Sequence, residues 1–558
     1  MPPTKLGPVA ARIVPCGLAF VASFAIMVVE LVAGRLIAKH VGNSLYTWTS
    51  VIGVVLAGIS IGNLVGGRLA DRFPARATLA VLFFAAAAAC LAVPLANAYV
   101  GEHEYLKELP SWRLRIAAHV ALVFLLPSTA LGLIGPVVAK LALDQGRSAG
   151  RTVGNVYAWG ALGSIAGTFL TGFYLIPAMR TSGVVLGVSA VLAVVGILLM
   201  PFYSWPFSSA AALGAFVVLL ESGVWSERYE VAWTGAIPAV REKVDGDVVY
   251  TDESQYSFIK ITENSDSSRD LVLDNLVHAY YVPGDPLKLL YEYEEVYAAV
   301  TERSVEEGRP PRALFIGGGG YVFPRYLRAR WPGAFAEVAE IDPAVTRAAV
   351  AAFGLSAAEI RVADGRRPSG GFAAAEPAPG EAPPIEIHHL DARNHVEDLV
   401  RLRKSGALAP YDVVYGDAFN DFSVPFHLVT LEFTQKIRDL LRPEKGVYLL
   451  NVIDTYASSR FLGAVYCTFR RAFPWTYVFT TSADGPSDDP TQRETFVVVG
   501  ALRDLGLGDF GEREGEGCAA LLSQEELREI AERAGETVLT DEYSPVENLL
   551  EFVARNRR

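Results

Sequence analysis

Three acidic residues, each at the end of an apolar run, have the types and spacing to share one reaction site. They are Glu340 in Glu-Ile-Asp342, Asp391 in Leu-Asp-Ala-Arg393, and Asp417 in Tyr-Gly-Asp-Ala418. Ahead of the first lies a run of glycines, Ala313-Leu-Phe-Ile-Gly-Gly-Gly-Gly-Tyr321, with 18 residues separating Tyr321 from Glu340. Glycines at a strand end let the backbone turn tightly against a ligand. A carboxylate at the tip of the next strand can accept hydrogen bonds from two ribose hydroxyls. Gly317, Gly318, Gly319, Glu340 and Asp342 thus read as a nucleoside-binding half-site, with a plain tight turn as the alternative. Asp391, followed by Ala392, can accept the exocyclic amine of adenine or cap the helix after it. A second candidate for that role, Asp364 in Ala-Asp-Gly-Arg366, sits in an Ala/Pro/Gly-rich stretch. Asp417 has Asn420 and Asp421 close behind it. That grouping favours a polar reaction site, although a lone strand-tip Asp is as often a cap.

These residues need a scaffold that brings strand ends together. The runs Ala313–Ile316, Phe335–Ile341, Ile385–His389, Asp412–Gly416 and Gly446–Val452 read as strands, followed by a hairpin at Thr476–Thr480 and Thr495–Val499. Helices are expected over Val322–Trp331, Ala344–Phe353, Asn394–Lys404, Leu428–Leu441 and Ser458–Phe473. Alternation of this kind predicts a parallel sheet flanked by helices, an α/β Rossmann-like, methyltransferase-like domain over residues 301–558, with ligands at the carboxyl ends of its strands. Its composition suggests a flexible insertion at 354–384. Ahead of it, residues 225–300 carry short alternating runs such as Ser257-Phe-Ile-Lys-Ile-Thr262, the pattern of a small antiparallel β-subdomain.

The first 224 residues differ in kind. They hold 7 acidic and 14 basic side chains against 54 and 35 in the remainder, so the two parts carry about +7 and −19. After a tail at 1–12 come seven apolar runs: Ile13–Ala38, Trp48–Gly67, Ala77–Ala98, Ile116–Leu143, Val153–Pro177, Gly183–Pro201 and Phe207–Val224. Most approach the roughly 20 residues that span a bilayer, which predicts an N-terminal all-α multi-span membrane domain over 13–224 in the cell membrane. Gly58, Gly62 and Gly66, and likewise Gly163 and Gly167, form small-residue stripes suited to close helix packing in lipid. Glu30, inside the first run, needs a partner or a polar cavity, and Arg35 is one turn away. Basic residues favour a cytoplasmic N-terminus, yet seven crossings would put the soluble part outside. Either one run is re-entrant, Phe207–Val224 being the weakest, or the charge bias misleads; nucleoside chemistry favours a cytoplasmic catalytic domain. The cysteines at 16, 90, 467 and 518 have neither metal-ligand spacing nor the look of a disulfide framework, and no metal is expected.

From about Asp252 to Val452 the chain resembles the polyamine aminopropyltransferases, the spermidine synthase family. The matching segments are Leu271-Val-Leu-Asp274, Tyr293-Glu-Glu295, Gly317–Gly319, Glu340-Ile-Asp342, Asp391-Ala-Arg393 and Asp417, in the family's order. With the C-terminal Leu539-Thr-Asp-Glu-Tyr-Ser-Pro545, the whole looks like variants fused to a multi-span membrane domain. The resemblance implies an enzyme that transfers an aminopropyl group from decarboxylated S-adenosylmethionine to an amine, releasing methylthioadenosine. Glu340 would bind ribose and Asp391 adenine, while Asp274 and His278 complete the co-substrate site. Asp417 would deprotonate the amine, with Tyr293 next in line, and Asp421, Asn420 and Glu295 would meet the amine substrate. A small-molecule amine and the lipid bilayer are the implied partners; nucleic acid is not, and a homodimer stays open.

The departures also carry information. The family's glycine motif continues with Asp and Gly where this chain has Gly320 and Tyr321, its second acidic residue after the catalytic Asp is Asn420, and its glutamine is His278. Two charges that would grip a cationic amine are missing, so putrescine should be held poorly unless Asp421 or Glu295 compensates. His278 and Arg393 would be the nearest groups to meet an acceptor's own carboxylate. Intact S-adenosylmethionine as co-substrate, and with it a methyltransferase or other alkyl transferase, is an alternative. A transporter or sensor that binds a nucleoside or polyamine without turnover is another.

Overall fold

The computed structural model describes residues 10–42, 44–102, 109, 111–144, 148–200, 247–274, 276–306, 308–363, 383–419, 423–507, 510, 519–551 and 553. It divides into two compact units, an N-terminal one and one comprising Val244–Asp252 and Phe258–Arg558.

In the first unit the described residues form six stretches long and apolar enough to cross a membrane: Ile13–Ala38, Leu45–Arg72, Ala75–Gly101, Trp112–Leu143, Ala149–Ala178 and Thr181–Leu199. They coincide with the first six of the seven apolar runs; Phe207–Val224 lies outside the described residues. Helices satisfy every backbone group internally, which is what apolar surroundings demand of such sequences. Helix α1 (Ala10–Val41) packs along α2 (Leu45–Arg72), and α2 packs on α3 (Trp112–Gly132) through the glycine stripe. A methyl group on Gly58 would stand 2.6 Å from the Ser128 Cβ, and one on Gly62 would stand 2.4 Å from the Thr129 carbonyl oxygen. Any side chain there must push the backbones apart. The second stripe works alike, for a methyl on Gly163 would lie 2.2 Å from the Phe20 carbonyl oxygen. One buried polar pair is satisfied across helices: Asn97 donates to the Leu36 carbonyl at 2.6 Å and lies 3.0 Å from His119 Nε2.

The second unit holds two sheets. Strands β1 (Asp247–Glu253), β2 (Phe258–Glu263), β3 (Arg269–Leu273) and β4 (Leu276–Tyr281) form a four-stranded sheet in sequence order. The larger sheet is built from β5 (Arg312–Ile316), β6 (Phe335–Ala339), β7 (Ile360–Ala363), β8 (Ile385–His388), β9 (Val413–Gly416), β10 (Val447–Asp454), β11 (Trp475–Thr480), β12 (Glu494–Ala501) and β13 (Ala520–Leu521). Its order is β13-β11-β12-β10-β9-β5-β6-β8-β7. Strands β7 through β10 in that order run parallel to one another, and β12 returns antiparallel along β10. All residues of β9 and β10 are buried, as expected of strands with helices over both faces.

The observed strands and helices match the expected ones to within a few residues. The stretch 354–384 is a partial exception. Its first ten residues are ordered, with a capped turn at Ser356–Glu359 leading into β7 on the sheet edge, while 364–382, including Asp364, lie outside the described residues. Strand β7 has only four residues and a largely exposed pattern, typical of an edge, and the short Ile-Arg-Val-Ala363 run gave little periodicity to read.

Candidate active site

Four neighbouring strands, β8, β6, β5 and β9, deliver the residues singled out above. The strand ladder continues into their tips. Gly317 N–H donates to the Ala339 carbonyl at 3.0 Å, Glu340 N–H to the His388 carbonyl at 3.0 Å, and Asp417 N–H to the Ile316 carbonyl at 2.8 Å. These bonds fix the three strand ends in register before any side chain acts.

The glycine turn has to be glycine at its start. Gly317 sits at φ +98°, and a methyl group there would meet the Asp417 carbonyl oxygen at 2.4 Å. Gly319, Gly320 and Tyr321 also adopt left-handed backbone, with φ of +49°, +62° and +64°. Tyr321 tolerates this because it is wholly buried and its hydroxyl bonds to Thr346. Arg325, on helix α4 (Val322–Arg330), ties the turn from behind. Its guanidinium donates to the carbonyls of Tyr321, Phe353 and Gly320 at 3.0, 3.3 and 3.4 Å and stacks 3.9 Å from the Tyr281 ring centroid.

Glu340 lies beneath the turn, 8% exposed. Its Oε2 accepts the Gly318 N–H and its Oε1 the Asp342 N–H, both at 2.9 Å. Each oxygen keeps lone-pair capacity for one more donor, as a pair of vicinal ribose hydroxyls would require. Burial pushes the carboxyl up to about 7 against these stabilising bonds. Asp342 spends its carboxylate on capping helix α5 (Pro343–Ala352), accepting the Ala344 N–H at 2.9 Å.

Asp391 caps helix α6 (Ala392–Lys404) by accepting the N–H groups of Arg393 and Asn394 on Oδ1, at 2.9 and 3.2 Å, so the cap alternative holds at this position. Its Oδ2 lies 3.1 Å from His427 Nε2 and has capacity for an amine as well. The bond from His427 holds the pKa of this carboxyl below its ordinary value. Arg393 is committed elsewhere, donating to the His427 carbonyl at 2.7 Å and pairing with Asp541.

Asp417 is held by two side chains from distant segments. Tyr293, at the start of helix α7 (Glu292–Ser304), donates its hydroxyl to Oδ2 at 2.8 Å, and Asn451 on β10 donates to Oδ1 at 2.9 Å. One turn along, Tyr297 donates to the Gly416 carbonyl at 3.1 Å. Burial raises the Asp417 carboxyl to about 6, and raises Tyr293 well above its usual range. A carboxyl near 6, held by two donors and facing the glycine turn, suits a general base near neutral pH. His278 on β4 lies edge-to-face with Phe419, ring centroids 6.5 Å apart; its buried Nε2 has no partner among the described residues, and burial drops it to about 4. That orphaned nitrogen beside the Asp417 strand end fits a site built to receive a polar ligand.

Of the remaining expected residues, Asp274 accepts the Phe258 N–H at 2.9 Å in a left-handed turn, which holds the small sheet together. Ala392 is buried at the start of its helix, and Glu295 is half-buried. Asn420 and Asp421 lie outside the described residues. Sequence reasoning missed Asn451, although a lone amide in the apolar run Val447–Ile453 was a signal. It also missed Glu337 on β6, which bonds to Tyr411 and lies 3.3 and 2.9 Å from the Nε2 atoms of His388 and His395. These three residues have metal-ligand types, but their donors and acceptors are spent on one another inside the core.

No model of a known protein family matches the chain. Over 255 residues it is 26% identical to the polyamine aminopropyltransferase of Vibrio vulnificus, a match that covers 43% of this chain and 70% of that protein. Among solved structures it is similar to a probable spermidine synthase from Corynebacterium glutamicum (19% identity, TM-score 0.41, 54% of this chain and 98% of that one). It is also similar to spermidine synthase from Thermotoga maritima (21%, 0.32, 45% and 72%) and to human methyltransferase-like protein 13 in complex with SAH (20%, 0.28, 44% and 91%). The resemblance read from the motifs is borne out by sequence: this chain is a relative of the polyamine aminopropyltransferases, a family of transferase enzymes.

Proposed function

We propose that the second unit is a spermidine synthase-like aminopropyltransferase, that it takes decarboxylated S-adenosylmethionine and an amine, and that the N-terminal helices tether it to the membrane. The observation that carries the reading is Asp417, bonded by Tyr293 and Asn451 and raised to about 6, next to a glycine turn backed by Glu340. In the proposed reaction the substrate ammonium first gives a proton to Asp417. The freed nitrogen lone pair then attacks the methylene carbon bonded to sulfur. The carbon–sulfur bond breaks, its electrons return to sulfur, and neutral methylthioadenosine leaves without acid assistance. Glu340 would hold the ribose, Asp391 would accept from adenine through Oδ2, and Tyr293 would keep the Asp417 lone pair aimed. Among the described residues six helices are long and apolar enough to cross a membrane; an even number of crossings returns a chain to the side where it began, so six crossings from a cytoplasmic N-terminus would leave the catalytic unit cytoplasmic.

Transfer from intact S-adenosylmethionine is a second reading with an observation behind it. A Cβ at Gly320 would strike the Phe353 ring at 2.7 Å, at φ +62°, so this turn cannot present the acidic side chain expected at that position. The test is to incubate the purified full chain with decarboxylated or intact S-adenosylmethionine and a panel of amines, and to identify products by mass. Aminopropylated amine with methylthioadenosine supports the first reading, methylated product with S-adenosylhomocysteine supports the second, and neither product refutes both.

A further inference from the structure

In the N-terminal unit, Gly163 and Gly167 bring the helix Ala149–Leu170 tightly against α1 at Phe20 and Phe24, so the two helices run in the same direction. Toward the start of both helices they part, and a cavity of about 560 Å³ opens, a volume in the range of ligand sites. Trp159, set T-shaped against Phe20 with ring centroids 6.3 Å apart, lines the end nearest the glycine seam. The two walls differ in kind. One is a face of the helix Ala149–Leu170 carrying Arg151, Thr152 and Asn155; the other, from α1, is Ile13, Pro15 and Cys16. No acidic residue lines the cavity, and Asp144, the described acid closest in sequence to Arg151, pairs with Lys140 at 3.0 Å. The side chains of Arg151, Thr152 and Asn155 have no hydrogen-bond or ion-pair partner among the described residues. The cavity therefore offers one permanent positive charge and several donors opposite an apolar wall.

We propose that this cavity binds an anionic phospholipid: Arg151 holds the phosphate, Thr152 and Asn155 supply further donors, and the start of an acyl chain lies along Ile13 and Pro15. The planar guanidinium fork matches phosphate oxygens, and a chain covers the wall that a free phosphate would leave bare. A zwitterionic headgroup would bring an ammonium into a cavity that has no carboxylate to meet it. Ile13 and Ala149 each begin one of the six apolar stretches, so with those stretches in a bilayer the cavity stands at headgroup level. By the bias of the basic residues this is the cytoplasmic face, where basic pockets between helices receive anionic headgroups. The inference rests on the membrane reading and is independent of the transferase chemistry. A lipid that touches both walls binds only the folded bundle, so it should raise the bundle's stability by mass action.

The experiment uses the full chain, purified in a neutral detergent and titrated with phosphatidylglycerol, with phosphatidylcholine of the same acyl chains, or with inorganic phosphate. Two signals are read: the thermal midpoint, and the rate of maleimide labelling at Cys16, located by peptide mass. Phosphatidylglycerol should raise the midpoint saturably and slow the labelling of Cys16, and the other two should do neither at equal concentration. Arg151→Gln should shift the phosphatidylglycerol response to about tenfold higher concentration or more, the loss expected from one charge-assisted contact. Arg151→Lys should keep part of the response. Arg72→Gln, which removes a basic residue at the end of α2 outside the cavity, should leave it unchanged. Equal protection by phosphatidylcholine overturns the anionic site, and equal protection by inorganic phosphate overturns the lipid as its ligand. A Cys16 that none of the three protects overturns the proposal outright, as does an Arg151→Gln chain that responds like wild type. A chain that leaves the membrane fraction without detergent is a separate result, and it refutes the membrane reading.

Discussion

Replacing Asp417 by Asn should make the protein inactive and more stable at once. The carboxyl is raised from an ordinary 3.8 to about 6 because burial penalises its charged form. A shift of about two units corresponds to roughly 2–3 kcal/mol of strain once the group is ionised. A raised acid favours the protonated folded state, so the strain is absent below about pH 4, grows as pH rises, and is complete above the folded value near 6. Asn keeps the geometry, since its oxygen can accept from Asn451 while its amide can donate to the Tyr293 oxygen. Asp417→Asn should therefore match wild type in thermal midpoint near pH 4 and exceed it by a few degrees at pH 8. Turnover should fall by about a hundredfold or more, as for a lost general base, with methylthioadenosine affinity nearly unchanged. Scanning fluorimetry at stepped pH, with a product assay on the same preparations, reads both effects. A variant that is less stable than wild type at pH 8, or that retains full turnover, refutes the reasoning.

Glu340→Ala should weaken methylthioadenosine by about tenfold or more in calorimetry. In wild type that affinity should rise between pH 6 and pH 8, because the carboxyl titrates at about 7 and only its ionised form can accept from both hydroxyls. Glu337 behaves in the opposite sense. Burial alone would raise it, but the hydrogen bonds from His388 and His395 prevail and hold it well below the carboxylate range. Its stabilisation is complete above an unfolded value of about 4.3 and is lost as pH falls below that, so Glu337→Gln should cost about 3 kcal/mol or more at neutral pH and flatten the acid limb of a denaturation curve. Gly62→Leu should separate α2 from α3 and lower the thermal midpoint of the solubilised chain, whereas Gly67→Leu, where a side chain has free space, should not.

The sheet was legible because its strands are nearly unbroken apolar runs between glycines and carboxylates, and the helices because their apolar positions recur at helical spacing. Glu340, Asp391 and Asp417 were legible for one reason: a strand's last residue is fixed in space by the ladder behind it. What stayed hidden depends on contacts between distant segments. Asn451 reaches Asp417 across 34 positions, and Tyr293 reaches it across 124. Of Glu294 and Glu295, the sequence pointed to the second for the amine. Which of two adjacent helical acids is enclosed depends on how the helix is rotated against the sheet, and the structure encloses Glu294. Strand β7 was missed because an edge strand needs little apolar surface to pair.

The turn from Gly317 to Tyr321 has a kinetic meaning. Four of its five residues hold left-handed backbone, and Arg325 staples its carbonyls to the following helix and to Phe353. A turn locked this way has its receiving shape before the ligand arrives, so little ordering entropy is lost there on binding. Encounter should then follow single-exponential kinetics that scale linearly with nucleoside concentration, without the plateau that a rearranging loop imposes. The same rigidity narrows what divergence can change. Altering the turn means replacing residues in left-handed backbone, whereas altering the walls means exchanging side chains such as His278 or Phe353, so new specificities in this scaffold should arise in the walls.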